Sequence, residues 1–247
     1  MNSKKFGMTL SSKVTTNKYK VRIGSTSPRM PDSQLFAHKK CVLGISMSNP
    51  IFWRSSMNTL LHWIDQNFEE CLLVVGDYLH RHNEANISGT STEQAAKNAL
   101  QKGDNFLEHL NSFLTLYPQE KFKIARWEQF LNTPNFSEKL ELMYDIYENV
   151  GGVRNSIEKT IRLFMQRRSN QDLVQLVDER LVNKYSLSYL IEEMAVFSNL
   201  IEEGWPVILY PGEQLPVLVE FARGDYSQTP EKLSNAVYVE LKVIKKR

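Results

Sequence analysis

The chain has 247 residues, of which 42% are hydrophobic and 23% are charged, and its formal net charge is +2. This length and composition are typical of one globular domain with a core of its own. A membrane-spanning helix is not expected, because no apolar run in the sequence approaches the roughly 18 residues that such a helix needs.

Residues 1–33 are polar and basic, and we expect them to form a partly ordered N-terminal arm. Residues 34–247 would then form a single domain. Within the arm, Tyr19–Ile23 alternates as a short edge strand does, and Pro28 and Pro31 then interrupt the chain.

Both ends of the chain are basic. Residues 1–40 contain nine Lys or Arg and one acidic residue, and residues 242–247 contain four Lys or Arg and no acid. These ends would suit a phosphate-rich partner, and they are equally compatible with solubilising tails. The N-terminal segment lacks the apolar core of a secretory signal, so we expect a cytoplasmic protein.

A strand–helix–strand unit is predicted next. Cys41–Ile45 and Cys71–Val75 are short apolar runs, and residues 51–68 between them repeat apolar side chains at helical spacing. This arrangement predicts two parallel strands joined by a right-handed crossover. Both cysteines lie inside the predicted strands, so we expect free buried thiols and neither a disulfide nor a metal pair.

A polar turn, Ser46 to Pro50, follows the first of these strands. A serine at this place lies at the edge of a sheet next to helix N–H groups, which is a good position for a nucleophile. Ser46, Ser48 and Asn49 could instead serve only to cap the helix, and the turn alone favours this simpler interpretation.

The middle of the chain has mostly helical periodicity. Residues 80–89 are polar and predict a loop, with His80 and His82 on the surface and without the spacing of a zinc site. Phe122–Trp127 alternates as a third strand does. The helices predicted around it cover residues 91–117, 133–150, 153–168 and 173–181.

A helix predicted over 186–203 carries Tyr189 and Glu193 four residues apart, which places both side chains on one face. By itself such a pair is more often part of a solvated face. Val207–Tyr210 is the next predicted strand, and it should end at the same sheet edge as the polar turn. The last predicted strands are Leu215–Phe221 and, at an edge of the sheet, Val237–Ile244.

The motif at the turn is incomplete for a serine hydrolase. Ser48 takes the place of the second glycine of G-x-S-x-G, and no histidine follows His109 to act as the base. Glycine motifs for phosphate or dinucleotide binding are also absent, so neither nucleotide hydrolysis nor nicotinamide chemistry is predicted. Without a histidine, Ser46 would suit an ester that is already activated.

Three pieces in chain order carry a resemblance to a known family. They are GISMSN with the helix and strand that follow it, Tyr189-x-x-x-Glu193, and Tyr210 at the end of its apolar run. Together they resemble the cyclodipeptide synthases over Val42–Ile244. The resemblance implies an α/β fold, with a Rossmann-like parallel sheet flanked by helices, similar to the catalytic domain of class I tyrosyl- and tryptophanyl-tRNA synthetases.

The resemblance also implies two aminoacyl-tRNAs as substrates and a ping-pong reaction. The first aminoacyl group moves to Ser46, and the amine of the second aminoacyl-tRNA then attacks that ester to give a dipeptidyl-enzyme. The dipeptide finally closes to a 2,5-diketopiperazine. Because both esters arrive activated, no ATP, cofactor or metal is implied, and H-I-G-H and K-M-S-K-S signatures are absent. We further expect a monomer without a membrane partner.

Roles for individual residues follow from the same resemblance. Ser46 would be the nucleophile, and Glu193 would bind the substrate α-ammonium. Tyr189 would hydrogen-bond the same ammonium or Ser46, and Tyr210 would relay a proton during cyclisation and help to place Ser46. Asn49 would contact the backbone of the aminoacyl groups. The first side-chain pocket would be apolar and lined by Gly44, Val42, Val74, Trp127, Val196 and Ile208.

Two other functions stay open: a serine acyltransferase or esterase that acts on another activated ester, and a non-catalytic tRNA-binding module. Asn49 matches one branch of the family and Pro211 another, so the sequence does not assign a branch. The helix over 91–117 is only weakly basic. A tRNA surface that involves the basic chain ends, Arg126 and Arg154–Arg168 is therefore a hypothesis.

Overall fold

The computed structural model describes residues 18–86, 90–169 and 179–246, without the side chains of 167–169 and 179–182. The strands of this part of the chain form a six-stranded sheet. They are β1 (Tyr19–Ser27), β2 (Lys40–Ile45), β3 (Glu70–Val75), β4 (Phe122–Arg126), β5 (Val207–Tyr210) and β6 (Val237–Lys245).

Helices cover both faces of the sheet. They are α1 (Asp32–Phe36), α2 (Ser56–Asn67), α3 (Arg81–Ala85), α4 (Thr92–Leu114), α5 (Trp127–Leu131), α6 (Phe136–Asn149), α7 (Gly151–Ser169), α8 (Glu179–Glu202), α9 (Pro216–Arg223) and α10 (Glu231–Ser234), with a short 3-10 helix at Tyr78–His80. No helix in the described part of the chain has both the length and the apolarity that crossing a membrane would need.

The strand order is β1-β6-β5-β2-β3-β4. All neighbours are parallel except β1, which pairs antiparallel with β6. The predicted βαβ unit and the predicted edge strand near Tyr19 are therefore confirmed. The prediction that β6 is an edge strand was wrong, since β6 lies between β1 and β5. Because β2 and β5 are neighbours, the residues that follow these two strands meet at one sheet edge.

The central strands are buried on both faces, as is usual for parallel strands covered by helices. In β2, Val42 belongs to the core under α8, and Leu43 belongs to the core under α2. Cys41 pairs in register with Cys71, and both thiols are buried and free, as predicted.

Two segments differ from the prediction. Residues 215–221 were predicted as a strand, but the segment forms α9, in which Val217, Leu218, Phe221 and Ala222 are buried at helical spacing. Pro216 begins this helix, and Gly224 ends it in the left-handed conformation with φ 71°. The predicted loop after residue 80 contains α3 instead.

Other predicted elements differ only in their bounds. The helix predicted over 51–68 begins at Ser56, after a series of turns. The helix predicted over 173–181 falls mostly outside the described residues, as do residues 1–17 of the predicted arm. The division between that arm and a single domain stays a prediction.

Candidate active site

The nucleophile candidate lies where the sequence places it, just after the end of β2. The carbonyl of Ser46 accepts a hydrogen bond from the backbone N–H of Asn49 (3.2 Å), which closes the turn. The Ser46 Oγ lies 3.0 Å from the Ser48 Oγ. A Cβ added at Gly44 would meet no atom within 4 Å, so the space beside the strand end is open.

This open space is part of a cavity of about 400 Å³ between the sheet, α7, α8 and the segment after β5. Its volume is in the range of small-molecule sites. Eight of the predicted site residues contribute to its wall: Gly44, Ser46, Val74, Trp127, Tyr189, Glu193, Ile208 and Tyr210. Residues from three distant parts of the chain therefore meet in one cavity.

Helix α8 presents a stripe of side chains to the cavity. Ser186, Tyr189, Glu193 and Phe197 all line it, and they are three or four residues apart, which is the spacing of one helix face. Tyr189 and Glu193 thus face the same space as Ser46, so the simpler alternative, a pair on a solvated helix face, does not apply.

Asn49 connects the turn after β2 to the end of β5. Its Nδ2 donates hydrogen bonds to the Tyr210 Oη (3.3 Å) and to the Pro211 carbonyl (3.1 Å). Its Oδ1 accepts one from the backbone N–H of Ile51 (3.0 Å). These hydrogen bonds use both the Nδ2 and the Oδ1 of Asn49, and they tether the turn after β2 to the end of β5.

Tyr210 is the residue held by this tether. Burial raises the pKa of Tyr210, while hydrogen bonds with Asn49 and Ser46 lower it, and the net direction is upward. Burial, followed by the charge of Glu193, raises the pKa of Tyr189 well above its ordinary value. Both phenols are therefore neutral near pH 7 and can donate or accept a hydrogen bond beside Ser46.

Glu193 and its neighbour Glu192 have opposite environments. Burial raises the pKa of Glu193 to about 8, and no cation of the described residues pairs with it. Burial also opposes ionisation of Glu192, but hydrogen bonds from His82 and Arg81 outweigh it and lower the pKa of Glu192 to about 2. The cavity thus contains an uncompensated carboxyl group, which favours a cationic ligand or a proton.

Glu192 organises a polar network that the sequence did not indicate. It accepts a two-pronged hydrogen bond from Arg81 (2.9 and 2.5 Å), and it also accepts from the Trp127 indole N–H (2.8 Å). His82 Nε2 lies 3.2 Å from the same carboxylate. The network fixes the Trp127 ring in the cavity wall. The prediction that His80 and His82 lie on the surface was wrong, because both are largely buried, with their Nε2 atoms 3.1 Å from Glu84 and 3.2 Å from Glu192.

Three predicted residues do not reach the cavity surface. Val42 and Val196 are fully buried in the core behind it, and Asn49 forms the tether described above. Other residues of the wall were missed, because they come from segments without a recognisable motif. They include Thr160, Leu163, Phe164, Ser186, Gln214 and Tyr238. One of these residues, Ser186, could have been identified from the sequence, because it is three residues before Tyr189 and therefore lies on the same helix face.

The hypothesis of a tRNA surface around Arg126 has little support from the contacts of this residue. Arg126 pairs with Asp77 (2.5 Å) and Asp104 (2.6 Å), so its charge is already compensated. Arg154 donates to backbone carbonyls of Tyr147 and Glu148. The side chains of Arg167 and Arg168 lie outside the described residues.

Comparisons with known proteins point to one family. A family model described as cyclodipeptide synthase matches residues 33–201, more than half of the chain. The sequence has no significant match among curated proteins.

Several solved structures have a similar fold. A cyclodipeptide synthase from Fluoribacter dumoffii has a TM-score of 0.79 and 23% identity, with 93% of this chain and 100% of that chain covered. A Mycobacterium tuberculosis protein, described as demonstrating that cyclodipeptide synthetases are related to type I tRNA synthetases, has a TM-score of 0.68 and 14% identity, with 93% and 94% covered. A cyclodipeptide synthase from Candidatus Glomeribacter gigasporarum, bound to Phe-tRNAPhe, has a TM-score of 0.62 and 22% identity, with 81% and 86% covered. The predicted fold class is confirmed by these likenesses.

Proposed function

Because the chain belongs to the cyclodipeptide synthase family and is therefore an aminoacyltransferase, we propose that it makes a cyclic dipeptide from two aminoacyl-tRNAs through an aminoacyl ester on Ser46. The observation that carries this proposal is the shared cavity of Ser46, Tyr189, Glu193 and Tyr210. The site offers a serine without a histidine base, which suits a substrate whose ester is already activated.

In the first step, the Ser46 Oγ attacks the ester carbonyl of an aminoacyl-tRNA. The bond from this carbonyl to the terminal ribose oxygen breaks, and that oxygen takes up the proton that Ser46 loses. Tyr210 is placed to relay this proton, because it is a hydrogen-bonding neighbour of Ser46 and is held by Asn49. The product is an aminoacyl-enzyme and a free tRNA.

Glu193 binds the α-ammonium of the substrate. A carboxylate in a cavity of low polarity gains more from a cation than a solvated one does, and the cavity wall contains no Lys, Arg or His of the described residues. The ammonium must lose a proton before its nitrogen can act as a nucleophile. A carboxyl with a pKa of about 8 is well matched to accept that proton near neutral pH.

The second attack must run in the direction opposite to the one expected from the resemblance. If the amine of the second aminoacyl-tRNA attacked the Ser46 ester, the dipeptide would end on tRNA and Ser46 would be free. A dipeptidyl-enzyme instead requires that the amine of the Ser46-bound aminoacyl group attack the ester carbonyl of the second aminoacyl-tRNA, which releases the second tRNA.

Ring closure then regenerates the enzyme. The terminal amine of the dipeptide attacks the Ser46 ester carbonyl, the bond to Oγ breaks, and Oγ regains a proton through Tyr210. Two ester bonds are consumed and two amide bonds are formed, so no further energy source is needed. We also propose that the reaction takes place in the cytoplasm, where charged tRNA is present.

The test is intact-protein mass spectrometry after the protein is mixed with charged tRNA. We expect one aminoacyl adduct, which Ser46→Ala abolishes. Ser48→Ala is the matched control, because its hydroxyl is 3.0 Å away and faces the same cavity. This variant should keep the adduct.

Other outcomes distinguish the alternative functions. An adduct formed from small activated esters but not from charged tRNA would favour an esterase or another acyltransferase. Tight binding of tRNA without any adduct or cyclic product would favour a non-catalytic binding module. An adduct that survives in Ser46→Ala but not in Ser48→Ala would move the nucleophile to Ser48.

A further inference from the structure

The deep end of the cavity contains a polar group that the proposed reaction does not use. Tyr238 on β6 is one of the largest fully buried side chains and is 2% exposed. It lines the cavity, yet its hydroxyl is buried without any hydrogen-bond partner in the described part of the protein. A buried hydroxyl without a partner costs free energy that is recovered when a partner arrives.

Strand register places Tyr238 at the bottom of the predicted first side-chain pocket. Tyr238 pairs with Ile208, and Ile208 pairs with Val42, so the three residues form one row across the sheet. This row is four residues before Ser46 along β2, a distance of about 13 Å along the strand. Only a long substrate side chain would reach this row.

Helix α8 closes the same end of the pocket. Phe197 lies one turn beyond Glu193, lines the cavity and packs its ring against Tyr238, with a centroid distance of 6.5 Å. The ring contact fixes the phenol between the sheet and the helix. Two neighbours of Tyr238, Ile208 on the next strand and Phe197 on α8, have apolar side chains.

The charges of the cavity narrow the class of substrate. Its charged wall residues within the described chain are Glu193 and Glu213, both acidic. A negative tip would face these two acids and no cation of the wall, and a positive tip would lose its hydration while Glu193 is engaged by the substrate ammonium. A neutral polar tip would not have this cost of desolvating a charge, and it would form a hydrogen bond with the Tyr238 hydroxyl.

We propose that Tyr238 is a specificity-determining residue whose hydroxyl hydrogen-bonds the neutral polar tip of a long aminoacyl side chain, such as a carboxamide or a phenol. This inference rests on the proposed function. It differs from the prediction of a purely apolar first pocket, since Ile208 has a phenol as its neighbour on the next strand.

The test compares substrates that differ mainly in the polarity of the tip. Tyrosyl- and phenylalanyl-tRNA form one pair and glutaminyl- and methionyl-tRNA another, and each pair competes in one reaction. We expect the wild type to prefer the polar member by about 3- to 10-fold, the value of one neutral hydrogen bond. Tyr238→Phe keeps the ring and should lower this ratio by the same 3- to 10-fold. Differences between the two tRNAs cancel when the ratio of the variant is divided by that of the wild type.

Tyr117→Phe is the matched control. Its hydroxyl donates to Asn58 from the other side of the sheet, so its loss should leave the product ratio as it is. Thermal unfolding of both variants completes the comparison. Tyr238→Phe should unfold at the wild-type temperature or above it, because the hydroxyl has no partner to lose in the free protein.

Four outcomes would overturn the inference. A ratio that Tyr238→Phe does not change, or an equal loss with all four substrates, would assign the hydroxyl no role in side-chain selection. A wild type that rejects both polar substrates would have the same meaning. A wild type that forms no cyclic dipeptide from any charged tRNA would overturn the proposed function itself, and this inference with it.

Discussion

At the scale of single residues, the site contains two adjacent carboxyl groups, Glu192 and Glu193, whose pKa values are shifted in opposite directions. Successive residues of a helix point about 100° apart, so Glu192 faces Arg81 and Trp127 while Glu193 faces the cavity. Arg81 and His82 hold Glu192 ionised, and burial favours the neutral form of Glu193. This difference provides one carboxylate with a structural role and one carboxyl group that, in the proposed function, exchanges a proton with the substrate.

Glu193→Gln should therefore stabilise the protein in a pH-dependent manner. Because burial raises the pKa of Glu193 to about 8, the folded protein holds a proton that the unfolded chain releases near pH 4.3. Its contribution to stability is complete below the unfolded pKa and is lost as pH rises towards 8. The variant cannot ionise, so its free energy of unfolding should exceed that of the wild type by about 1–3 kcal/mol at pH 8.5 and by less at pH 5.5.

Urea unfolding at the two pH values measures this difference. Glu203→Gln removes the charge of an exposed glutamate just after α8, and it is the control for the loss of one negative charge. An equal difference at both pH values for Glu193→Gln would contradict a raised pKa for this group.

At the scale of elements, close contacts hold the helices against the ends of the strands. The Arg81–Glu192 pair joins α3 to α8, and Asp77 after β3 accepts hydrogen bonds from Arg126 and from the backbone N–H of Trp127. The cavity wall on this side is thus fixed by buried polar contacts between elements far apart in the chain.

Gly103 on α4 permits the closest of these approaches. A Cβ at this position would lie 2.6 Å from the Asp77 Cβ and 2.9 Å from the Arg126 Nη2. Asp77 is fully buried and cannot yield easily. Gly103→Ala should lower the free energy of unfolding by about 1–3 kcal/mol, although alanine favours a helix by about 1 kcal/mol over glycine.

Gly151→Ala is the matched control for this substitution. A Cβ there meets no atom within 4 Å, and the residue begins α7, so the change should be neutral or stabilising. Denaturant unfolding of both variants gives the comparison. Equal stabilities would show that α4 can move away from Asp77 at no cost.

At the scale of the whole molecule, strand order decides which residues meet. Ser46 follows β2 and Tyr210 ends β5, and these strands are neighbours although about 160 residues separate them. Asn49 fixes the position of the end of β5 relative to the turn that contains Ser46, because it donates hydrogen bonds to the Tyr210 hydroxyl and to the Pro211 carbonyl. Its role as a tether is a consequence of topology, and no local pattern contains it.

Asn49→Ala should therefore lower kcat for cyclic dipeptide formation by about 10-fold or more, because small displacements of reacting groups are costly. Its effect on KM should be smaller if Asn49 positions Ser46 and Tyr210 without binding substrate. Asn67→Ala is the control, since Asn67 donates to the Trp63 carbonyl at the far end of α2. A loss seen in KM alone would return Asn49 to the predicted role of a direct substrate contact.

The sequence by itself determined the features that depend on neighbours along the chain. Periodicity and turn chemistry located the strand before Ser46 and the helix face shared by Tyr189 and Glu193. Local patterns failed where two structures fit the same residues. The apolar run at 215–221 suits a strand as well as a helix, and only packing on the sheet selected α9.

Only the tertiary structure decided which polar side chains are buried, which residues pair with them, and which residues reach the cavity. His82 is buried because Glu192, 110 residues away, accepts its hydrogen bond, and Tyr238 reaches the cavity because β6 pairs with β5. The charge of a carboxyl group depends on the solvent it loses and on the cations that reach it. Both are set by residues distant in sequence, so Glu192 and Glu193 could not be distinguished until the chain was folded.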